Sequence, residues 1–161
     1  MVILLMGVAG SGKTTIGQQL AKELGWRFAD ADRFHPAANV AKMSAGQPLD
    51  DDDRKPWLAA IRAHIDEALA EGRSVVVTCS ALKQRYRDAL VGDPERVKLV
   101  YLKGTREVLW QRISGRKNHF MKPAMLDSQL AALEEPSNAH VVDINQTSEQ
   151  IIAAIRSALV L

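Results

Sequence analysis

Short runs of apolar residues recur along this chain, separated by stretches of mixed polarity. The clearest runs occupy residues 2–6, 74–79 and 97–102, and weaker runs occupy residues 28–31 and 140–144. Runs of Val, Leu and Ile without polar interruption are typical of parallel strands that are covered on both faces. The pattern therefore predicts buried strands at these five places.

Helices are predicted between the runs, where apolar residues recur every three or four positions. The positions with this spacing are Ile16, Leu20 and Leu24; Leu58, Ile61, Ile65 and Leu69; and Ile151, Ile152, Ile155 and Leu159. Gly25 and Gly72 close the first two helices, and Thr147 with Gln150 forms a capping box before the last one. Strand and helix alternate throughout, which predicts a three-layer α/β fold around a central parallel sheet.

Two polar stretches break this alternation, residues 32–57 and residues 115–136, and neither has a clear apolar period. In an open parallel sheet, ligands bind at the carboxyl ends of the strands, where such insertions would lie. We therefore predict a single domain over residues 1–161, with a substrate cover over about 32–57 and a helical lid over about 112–136.

Residues 7–14 read GVAGSGKT and match the pattern GxxxxGK[ST] directly after the first apolar run. Glycines allow the backbone to turn so that successive N–H groups converge on phosphate oxygens, and the dipole of the following helix adds to the attraction. Lys13 supplies charge to the β- and γ-phosphates, and the Thr14 hydroxyl can ligate Mg²⁺. The residues predicted to bind ATP here are Gly7, Val8, Ala9, Gly10, Ser11, Gly12, Lys13, Thr14 and Thr15.

Asp30 and Asp32 stand at the end of the second predicted strand, where a spacing of two puts both carboxylates on one side of an extended backbone. A P-loop enzyme needs an acid near its Mg²⁺. If the enzyme phosphorylates a hydroxyl, it also needs a carboxylate that orients or deprotonates that hydroxyl. We assign Asp30 to the Mg²⁺ through water and Asp32 to the substrate hydroxyl. The alternative is that both aspartates merely cap the turn after the strand.

The other central runs, residues 74–79 and 97–102, do not end in an acid, and no Asn-Lys-x-Asp element that could read guanine is present. Motor-type and GTPase P-loop proteins carry such an acid on a strand end. Both absences favour a small-molecule kinase over a switch protein.

Arg112 and Arg116 are four residues apart, which puts them on one face of a predicted helix. Two guanidinium groups at this spacing can bracket a triphosphate and neutralise charge on the transferring phosphoryl group. Both are predicted to contact the nucleotide, Arg116 also catalytically, and Lys117 and His119 add donors nearby. A solvated basic helix face explains the same spacing equally well.

Residues 50–53 are four aspartates at a helix entrance, where carboxylates favour the start of a helix. Arg54 stands at the same entrance and could hold a ligand carboxylate with two parallel hydrogen bonds, although simple solvation is equally open. His35 precedes Pro36 in an irregular segment. A hydrogen bond to the substrate and a packing role in the loop are both open for this histidine.

Ser80, Lys83 and Arg87 follow the third predicted strand at its carboxyl end, where they could face the substrate. The alternative for these three residues is a helix cap with a basic outer face. Cys79 ends the buried strand and is expected to be an inert, packed thiol.

The amino-acid composition limits the classes of molecule that the protein is expected to bind. The chain has 161 residues, and 21 Lys and Arg against 19 Asp and Glu give a net charge of +2. This balance points to a small anionic ligand and not to nucleic acid. Cys79 is the only cysteine, which excludes an internal disulfide, and residues 2–6 are too few to span a bilayer, so we expect no membrane partner and a cytoplasmic location.

With these residues in view, the chain resembles the gluconate kinases, small P-loop carbohydrate kinases related to shikimate and nucleoside monophosphate kinases. The match runs nearly end to end. Besides the P-loop, it rests on DADRFHP at residues 30–36 with Asn39, KMSAGQPL at 42–49, DR at 53–54 with PWL at 56–58, CSALK at 79–83, and Arg116 with HFM at 119–121 and SQ at 128–129. Shikimate kinases would have a glycine triplet where this chain has CSA, which argues against shikimate as the acceptor.

The resemblance implies phosphorylation of a sugar acid, D-gluconate, at its terminal hydroxyl with ATP and Mg²⁺, giving 6-phosphogluconate. It also implies a five-stranded parallel sheet in the order 2-3-1-4-5, a mobile lid carrying the two arginines, and a homodimer. Asp32 would be the general base, Arg54 the anion contact, and residues 143–147 the edge of the adenine pocket. Lys42 and His119 lie in matching segments and join the expected substrate-binding residues.

Two other functions remain open from the sequence. The protein could be a kinase for another small acceptor, such as a different aldonate or a nucleoside monophosphate. It could also be a regulatory or RNA-binding module that uses ATP only as a conformational signal, although the near-neutral charge and the lack of a basic stripe with aromatic residues favour the enzyme.

Overall fold

The computed structural model describes residues 1–115 and 123–161. The strands are β1 (Val2–Met6), β2 (Arg27–Asp30), β3 (Val75–Thr78), β4 (Val97–Lys103) and β5 (His140–Asp143). The helices are α1 (Lys13–Leu24), α2 (Ala37–Ser44), α3 (Asp51–Ala70), α4 (Gln84–Val91), α5 (Arg106–Ser114), α6 (Pro123–Ala132) and α7 (Ser148–Leu159), with a 3₁₀ helix at Ala31–Phe34.

The five strands form one parallel sheet in the order β2-β3-β1-β4-β5, as predicted. In its register Val2 lies beside Val75 on one side and Val97 on the other, so β1 is the central strand. Because all strands run the same way, the segments that follow β1, β2 and β3 meet at one edge of the sheet. These are the segments that carry the P-loop, the aspartates and Ser80.

Every side chain of β1 is buried, and alternate residues face opposite sides of the sheet. Ile3 and Leu5 belong to one hydrophobic cluster with residues of α1, α5, α6 and α7. Val2, Leu4 and Met6 belong to a second cluster with residues of α3 and α4. The two clusters hold helices on both faces of the sheet, which gives the predicted three layers.

The ends of the predicted helices follow the expected local chemistry. Gly25 adopts a left-handed conformation with φ of 68° at the end of α1, and Thr147 with Gln150 forms the capping box of α7. Asp50 and Asp53 form a second capping box at the start of α3. The four aspartates of residues 50–53 therefore serve the helix start, as predicted.

The predicted substrate cover contains helices that the sequence pattern does not reveal. It comprises the 3₁₀ helix, α2 and the beginning of α3. The apolar side chains of α2 are exposed, with Val40 48% and Met43 44% accessible, and Asn39 is its buried residue. Because α2 has no apolar face toward the core, its sequence shows no helical period.

The described part of the predicted lid packs onto the core. Leu109 and Ile113 of α5 and Leu126 of α6 are buried in the same cluster as Ile3 and Leu5. These contacts set the position of α5 and α6 beside the P-loop.

Candidate active site

The P-loop joins β1 to α1, and its backbone is shaped to receive an anion. Gly12 is the N-terminal cap residue of α1 with φ of 85°, and no described side chain caps this helix. The N-terminal end of α1, with the positive end of its dipole, therefore faces the loop. Gly10 has φ of 83°, and a Cβ at this position would approach the Leu109 carbonyl oxygen to 2.8 Å. The loop needs glycine there for both conformation and space.

Lys13 lies in the first turn of α1 with its side chain folded back over the loop. Its Nζ donates to the Val8 carbonyl oxygen at 3.2 Å. Ser11 is fully buried in the loop, and its Oγ has no hydrogen-bond partner among the described residues. The ammonium group thus lies across the face of the loop toward which the N–H groups converge.

A cavity of about 300 Å³ lies in front of the loop, and we call it the Asp32 cavity. Its lining combines the P-loop with the ends of β2 and β3 and one residue of α6. The lining residues are Ala9, Lys13, Thr14, Asp30, Asp32, Thr78, Cys79, Ser80 and Gln129. The structure thus brings the predicted ammonium, hydroxyl and carboxylate groups into one space.

Asp30 and Asp32 share this cavity, but not through the strand spacing from which their proximity is predicted. β2 ends at Asp30 and the chain turns at once into the 3₁₀ helix, so the alternation of a strand does not extend to Asp32. Asp30 Oδ1 accepts from the Asp32 backbone N–H at 3.0 Å and caps the 3₁₀ helix. Asp30 therefore caps the turn and also lines the cavity.

The Asp32 side chain keeps an exposed surface, but its carboxyl lies close to other ionisable groups. Burial, followed by the neighbouring charge of Asp30, raises its pKa above the usual range for Asp, while His35 and Lys13 act in the opposite direction. A carboxylate with a raised pKa is a better proton acceptor than one with the usual pKa of Asp. Burial has the same effect on the Cys79 thiol, whose pKa rises to about 12, which makes this cysteine inert at neutral pH.

His35 is held next to Asp32 by an aromatic contact. Its ring stacks on Trp57, with ring centroids 4.5 Å apart and planes at 9°, and the Trp57 Nε1 donates to the Ala31 carbonyl oxygen at 2.7 Å. The Asn39 side chain bridges His35 Nδ1 at 3.2 Å and the Asp53 carbonyl oxygen at 2.8 Å. Burial, assisted by Arg54, lowers the pKa of His35 and favours the neutral ring.

A second cavity of about 100 Å³, the Arg54 cavity, adjoins the first through Ser80, which lines both. Its lining residues are Arg54, Trp57, Ser80, Leu82, Lys83, Tyr86 and Ala132. Arg54 Nη1 donates to the Tyr86 hydroxyl at 3.3 Å, and that hydroxyl donates to Asp51 at 2.6 Å. The predicted residues Arg54, Ser80 and Lys83 therefore meet around one small pocket with two cationic groups.

A third cavity of about 220 Å³ lies on the other side of the P-loop and is lined by Gly10, Gly12, Thr15, Ile16, Arg112 and Ser148. Arg112 donates a hydrogen bond to the Ile144 carbonyl oxygen, which holds its guanidinium beside the loop. The loop thus separates the side that carries Arg112 from the side that carries Asp32.

Three predicted substrate residues, His35, Lys42 and Arg87, do not line these cavities, although His35 lies beside Asp32. Lys42 Nζ pairs with Asp53 at 2.8 Å, and this ion pair ties α2 to the start of α3. Arg87 is 1% exposed and donates to the carbonyl oxygens of Ala81 and Glu134 at 2.8 and 2.6 Å. Its placement at the carboxyl end of β3 is correct, but the side chain turns inward because two backbone carbonyl groups need a donor.

The contacts of Arg87 support the loop that carries Ser80 and Lys83. Ala81 has a positive φ of 45°, which is unusual for a residue with a Cβ, and it is 1% exposed. Arg87 holds the Ala81 carbonyl group in that conformation. Arg87 therefore shapes the Arg54 cavity from outside it.

The predicted roles of Arg116, Lys117 and His119 fall on residues outside the described part of the chain. The helix that carries Arg112 ends at Ser114, with Gly115 as its C-terminal cap residue. The shared helical face predicted for Arg112 and Arg116 therefore stays a prediction.

Three residues at the site were given no role from the sequence: Asn39, Tyr86 and Gln129. Asn39 and Gln129 both stand in segments that resemble the gluconate kinases, but no spacing signal links Gln129 to the P-loop, 120 residues away.

Within residues 1–115 and 123–161, no three His, Cys, Asp or Glu side chains are grouped to hold a metal ion. In the same described residues, no helix has the length and apolar content to cross a bilayer.

Comparison with known proteins adds independent evidence. The sequence profile of the shikimate kinase family matches residues 9–160. A probable gluconokinase of Dictyostelium discoideum is 44% identical, with 96% of this chain and 84% of the relative covered. The thermoresistant gluconokinase of Escherichia coli K12 is 42% identical, covering 95% of this chain and 90% of the relative.

A solved structure gives the same result in three dimensions. The crystal structure of a gluconokinase from Sinorhizobium meliloti 1021 superposes with a TM-score of 0.86 at 42% identity. The superposition covers 99% of this chain and 91% of that one.

Proposed function

This chain belongs to the shikimate kinase family and, within it, to the gluconokinases, and from that premise we propose that it transfers the γ-phosphoryl group of ATP to the terminal hydroxyl of D-gluconate. Membership makes the protein an enzyme, a kinase, with a small-molecule substrate. The acceptor and the roles of individual residues are argued from the site.

The observation that carries the proposal is the contact between the Asp32 and Arg54 cavities through Ser80. One cavity presents the P-loop and a carboxylate, and the other presents Arg54 and Lys83. Gluconate is a linear acid with a carboxylate at one end and a primary hydroxyl at the other. Its carboxylate matches the cationic cavity, and its far hydroxyl then reaches toward Asp32.

Binding of the nucleotide follows from the P-loop. The N–H groups at the start of α1 and the Lys13 ammonium bind the β- and γ-phosphates, and Arg112 lies on the side that receives the rest of the nucleotide. The loop directs the γ-phosphate toward the Asp32 cavity. Arg116 is proposed to neutralise charge on the transferring group, in keeping with the pair of arginines seen in the sequence.

Asp32 acts on the acceptor hydroxyl. Its carboxylate accepts a hydrogen bond from the hydroxyl and orients the oxygen toward phosphorus. The proton passes to Asp32 as the new oxygen–phosphorus bond forms and the bond to ADP breaks. His35, held on Trp57, provides a neutral neighbour that can hydrogen-bond the sugar chain.

The residues at the mouth of the loop fit Mg²⁺. Thr14 offers a hydroxyl and Asp30 a carboxylate that reaches the ion through water, and Mg²⁺ commonly takes few protein ligands beside substrate phosphates. When bound, the ion neutralises charge on the phosphates. A homodimer and a cytoplasmic location remain predictions.

An acceptor panel tests the proposal. ADP release is measured with D-gluconate, other aldonates, shikimate and nucleoside monophosphates, and NMR identifies the phosphorylated position of the product. We expect gluconate to stimulate ADP release most, with phosphate on the terminal carbon. Strong stimulation by another acceptor would replace gluconate, and ATP binding without stimulation by any acceptor would favour a regulatory role. Lys13→Ala serves as the inactive control.

A further inference from the structure

Gln129 of α6 reaches the phosphate-binding loop directly. Its side-chain Oε1 accepts from the Ala9 backbone N–H at 2.8 Å, although the two residues are 120 positions apart in sequence. Gln129 also lines the Asp32 cavity with Lys13 and Thr14. A residue of the predicted lid thus already touches the loop at the place where phosphates bind.

The position of Gln129 is fixed by contacts on both sides of it. Leu126, three residues earlier, is fully buried in the core cluster, and Asp127 forms a two-point ion pair with Arg106 of α5 at 2.5 and 3.2 Å. After the helix, the Glu134 N–H donates to the Leu82 carbonyl oxygen at 2.8 Å. These contacts hold α6 so that Gln129 faces the loop.

The chemistry of the amide orients the Gln129 side chain. A backbone N–H can only donate, so the carboxamide must present its oxygen to Ala9 and its NH₂ group away from it. No described residue accepts a hydrogen bond from that NH₂ group in this structure. A neutral donor therefore lies in the same cavity as the Lys13 ammonium and the Asp32 carboxylate.

We propose that the Gln129 NH₂ group donates a hydrogen bond to the γ-phosphoryl group of the bound nucleotide, while its oxygen keeps the Ala9 amide in place. The inference rests on the proposed kinase function in one respect, which is that the bound nucleotide is ATP. Gln129 thereby distinguishes a nucleoside triphosphate from a diphosphate, and it links the position of α6 to the presence of the group to be transferred.

The test compares the affinities of Mg-ADP and of a non-hydrolysable Mg-ATP analogue for the wild-type enzyme and three variants. Gln129→Ala removes both hydrogen bonds. Gln129→Glu is nearly isosteric and keeps an oxygen for Ala9, but it replaces the donor with a carboxylate. Gln111→Ala, an exposed residue of α5, is the matched control.

For both Gln129 variants we expect the ATP analogue to bind at least about tenfold more weakly while ADP affinity changes less than about twofold, as the loss of a hydrogen bond to a charged group would produce. The control should bind both nucleotides as the wild type does. Equal loss for the two nucleotides, or wild-type binding by Gln129→Glu, would overturn the proposal.

The binding measurement needs no acceptor, so it is independent of the acceptor panel. If gluconate proves to be the wrong acceptor while the selective loss of ATP-analogue affinity is observed, the proposed substrate fails and the role of Gln129 stands. If gluconate is phosphorylated and both nucleotides bind the variants normally, the role of Gln129 fails alone.

Discussion

Asp32 lies among charges of both signs, and its role depends on their balance. Burial and Asp30 favour the protonated form, whereas Lys13, and His35 when its ring is protonated, favour the carboxylate. A carboxyl poised in this way can accept a proton from an alcohol during the reaction and release it afterwards. Lys13, in contrast, is proposed to meet the nucleotide phosphates both before and after the transfer.

Substitutions at Asp32 and at Lys13 should differ in their effects on turnover and on nucleotide affinity. Asp32→Asn preserves shape but cannot accept the hydroxyl proton, so kcat should fall by at least about a hundredfold while nucleotide affinity stays within about twofold. Lys13→Ala should weaken both because it removes charge that meets the phosphates. Steady-state kinetics and nucleotide titration measure the two effects. An Asp32→Asn enzyme with near-normal turnover would remove Asp32 from the mechanism.

The pH dependence of turnover reports the charge of Asp32. The proposed role of Asp32 requires its carboxylate, so activity should be lost as pH falls through the pKa of this group, and a raised pKa places that loss above the usual range for Asp. Asp30→Asn removes the neighbouring negative charge, so the acid limb of the kcat profile should move to lower pH. Asp52→Asn, on an exposed aspartate, should leave the limb unchanged. An acid limb that does not move in Asp30→Asn would contradict this assignment.

At the scale of elements, the site depends on how closely α1 approaches the sheet. Gly17 is buried on α1, and a Cβ at this position would lie 2.7 Å from Thr78 Cγ2 and 2.8 Å from Phe28 Cε2. Neither neighbour is the end of a flexible chain. The glycine therefore allows α1, and with it the P-loop, to lie against β2 and β3.

Gly17→Ala should destabilise the protein by about 1–3 kcal/mol through overpacking, despite the better helix propensity of alanine. Urea unfolding followed by circular dichroism measures the change. Gln18→Ala, on the exposed neighbour, should change the free energy of unfolding by less than about 0.5 kcal/mol. If Gly17→Ala were as stable as the wild type, the close packing of α1 would not be required.

The strands, the helices and the P-loop differ in how well the sequence predicts them. The strands β1, β3 and β4 were predictable because their apolar runs are buried, and α1, α3 and α7 because each buries apolar side chains with a regular period. The edge strands β2 and β5 were also located, although most of their residues are not buried. The P-loop was predictable because its motif is a short, continuous stretch of sequence with glycines at fixed positions. The helix α2 was not, since its apolar side chains are exposed.

Side-chain direction was harder to predict than position. Lys42 and Arg87 stand in the expected segments, yet one pairs with Asp53 and the other turns inward to backbone carbonyl groups. The contact of Gln129 with Ala9 depends on tertiary packing of α6 through Leu126 and leaves no local pattern. The sequence therefore located the site, and only the three-dimensional packing showed which side chains enter it.

At the scale of the whole molecule, residues with three proposed functions lie at the carboxyl ends of β1, β2 and β3, along one edge of the sheet. The segment after β1 is proposed to bind phosphate, the end of β2 and the 3₁₀ helix supply Asp30 and Asp32, and the segment after β3 supplies Ser80 between the two cavities. The helices that cover this edge add Arg54 from α3 and Gln129 from α6. The fold thus places Arg54 at one end of the proposed acceptor pocket, and Asp32 and the P-loop at the other.

The most direct test of this arrangement compares kcat/KM for D-gluconate and for sorbitol, which has the same chain and terminal hydroxyl but no carboxylate. We predict that the wild-type enzyme prefers gluconate by at least about a hundredfold, and that Arg54→Gln loses most of this preference while sorbitol is used much as before. Equal use of the two acceptors by the wild-type enzyme, or an unchanged preference in Arg54→Gln, would contradict the account.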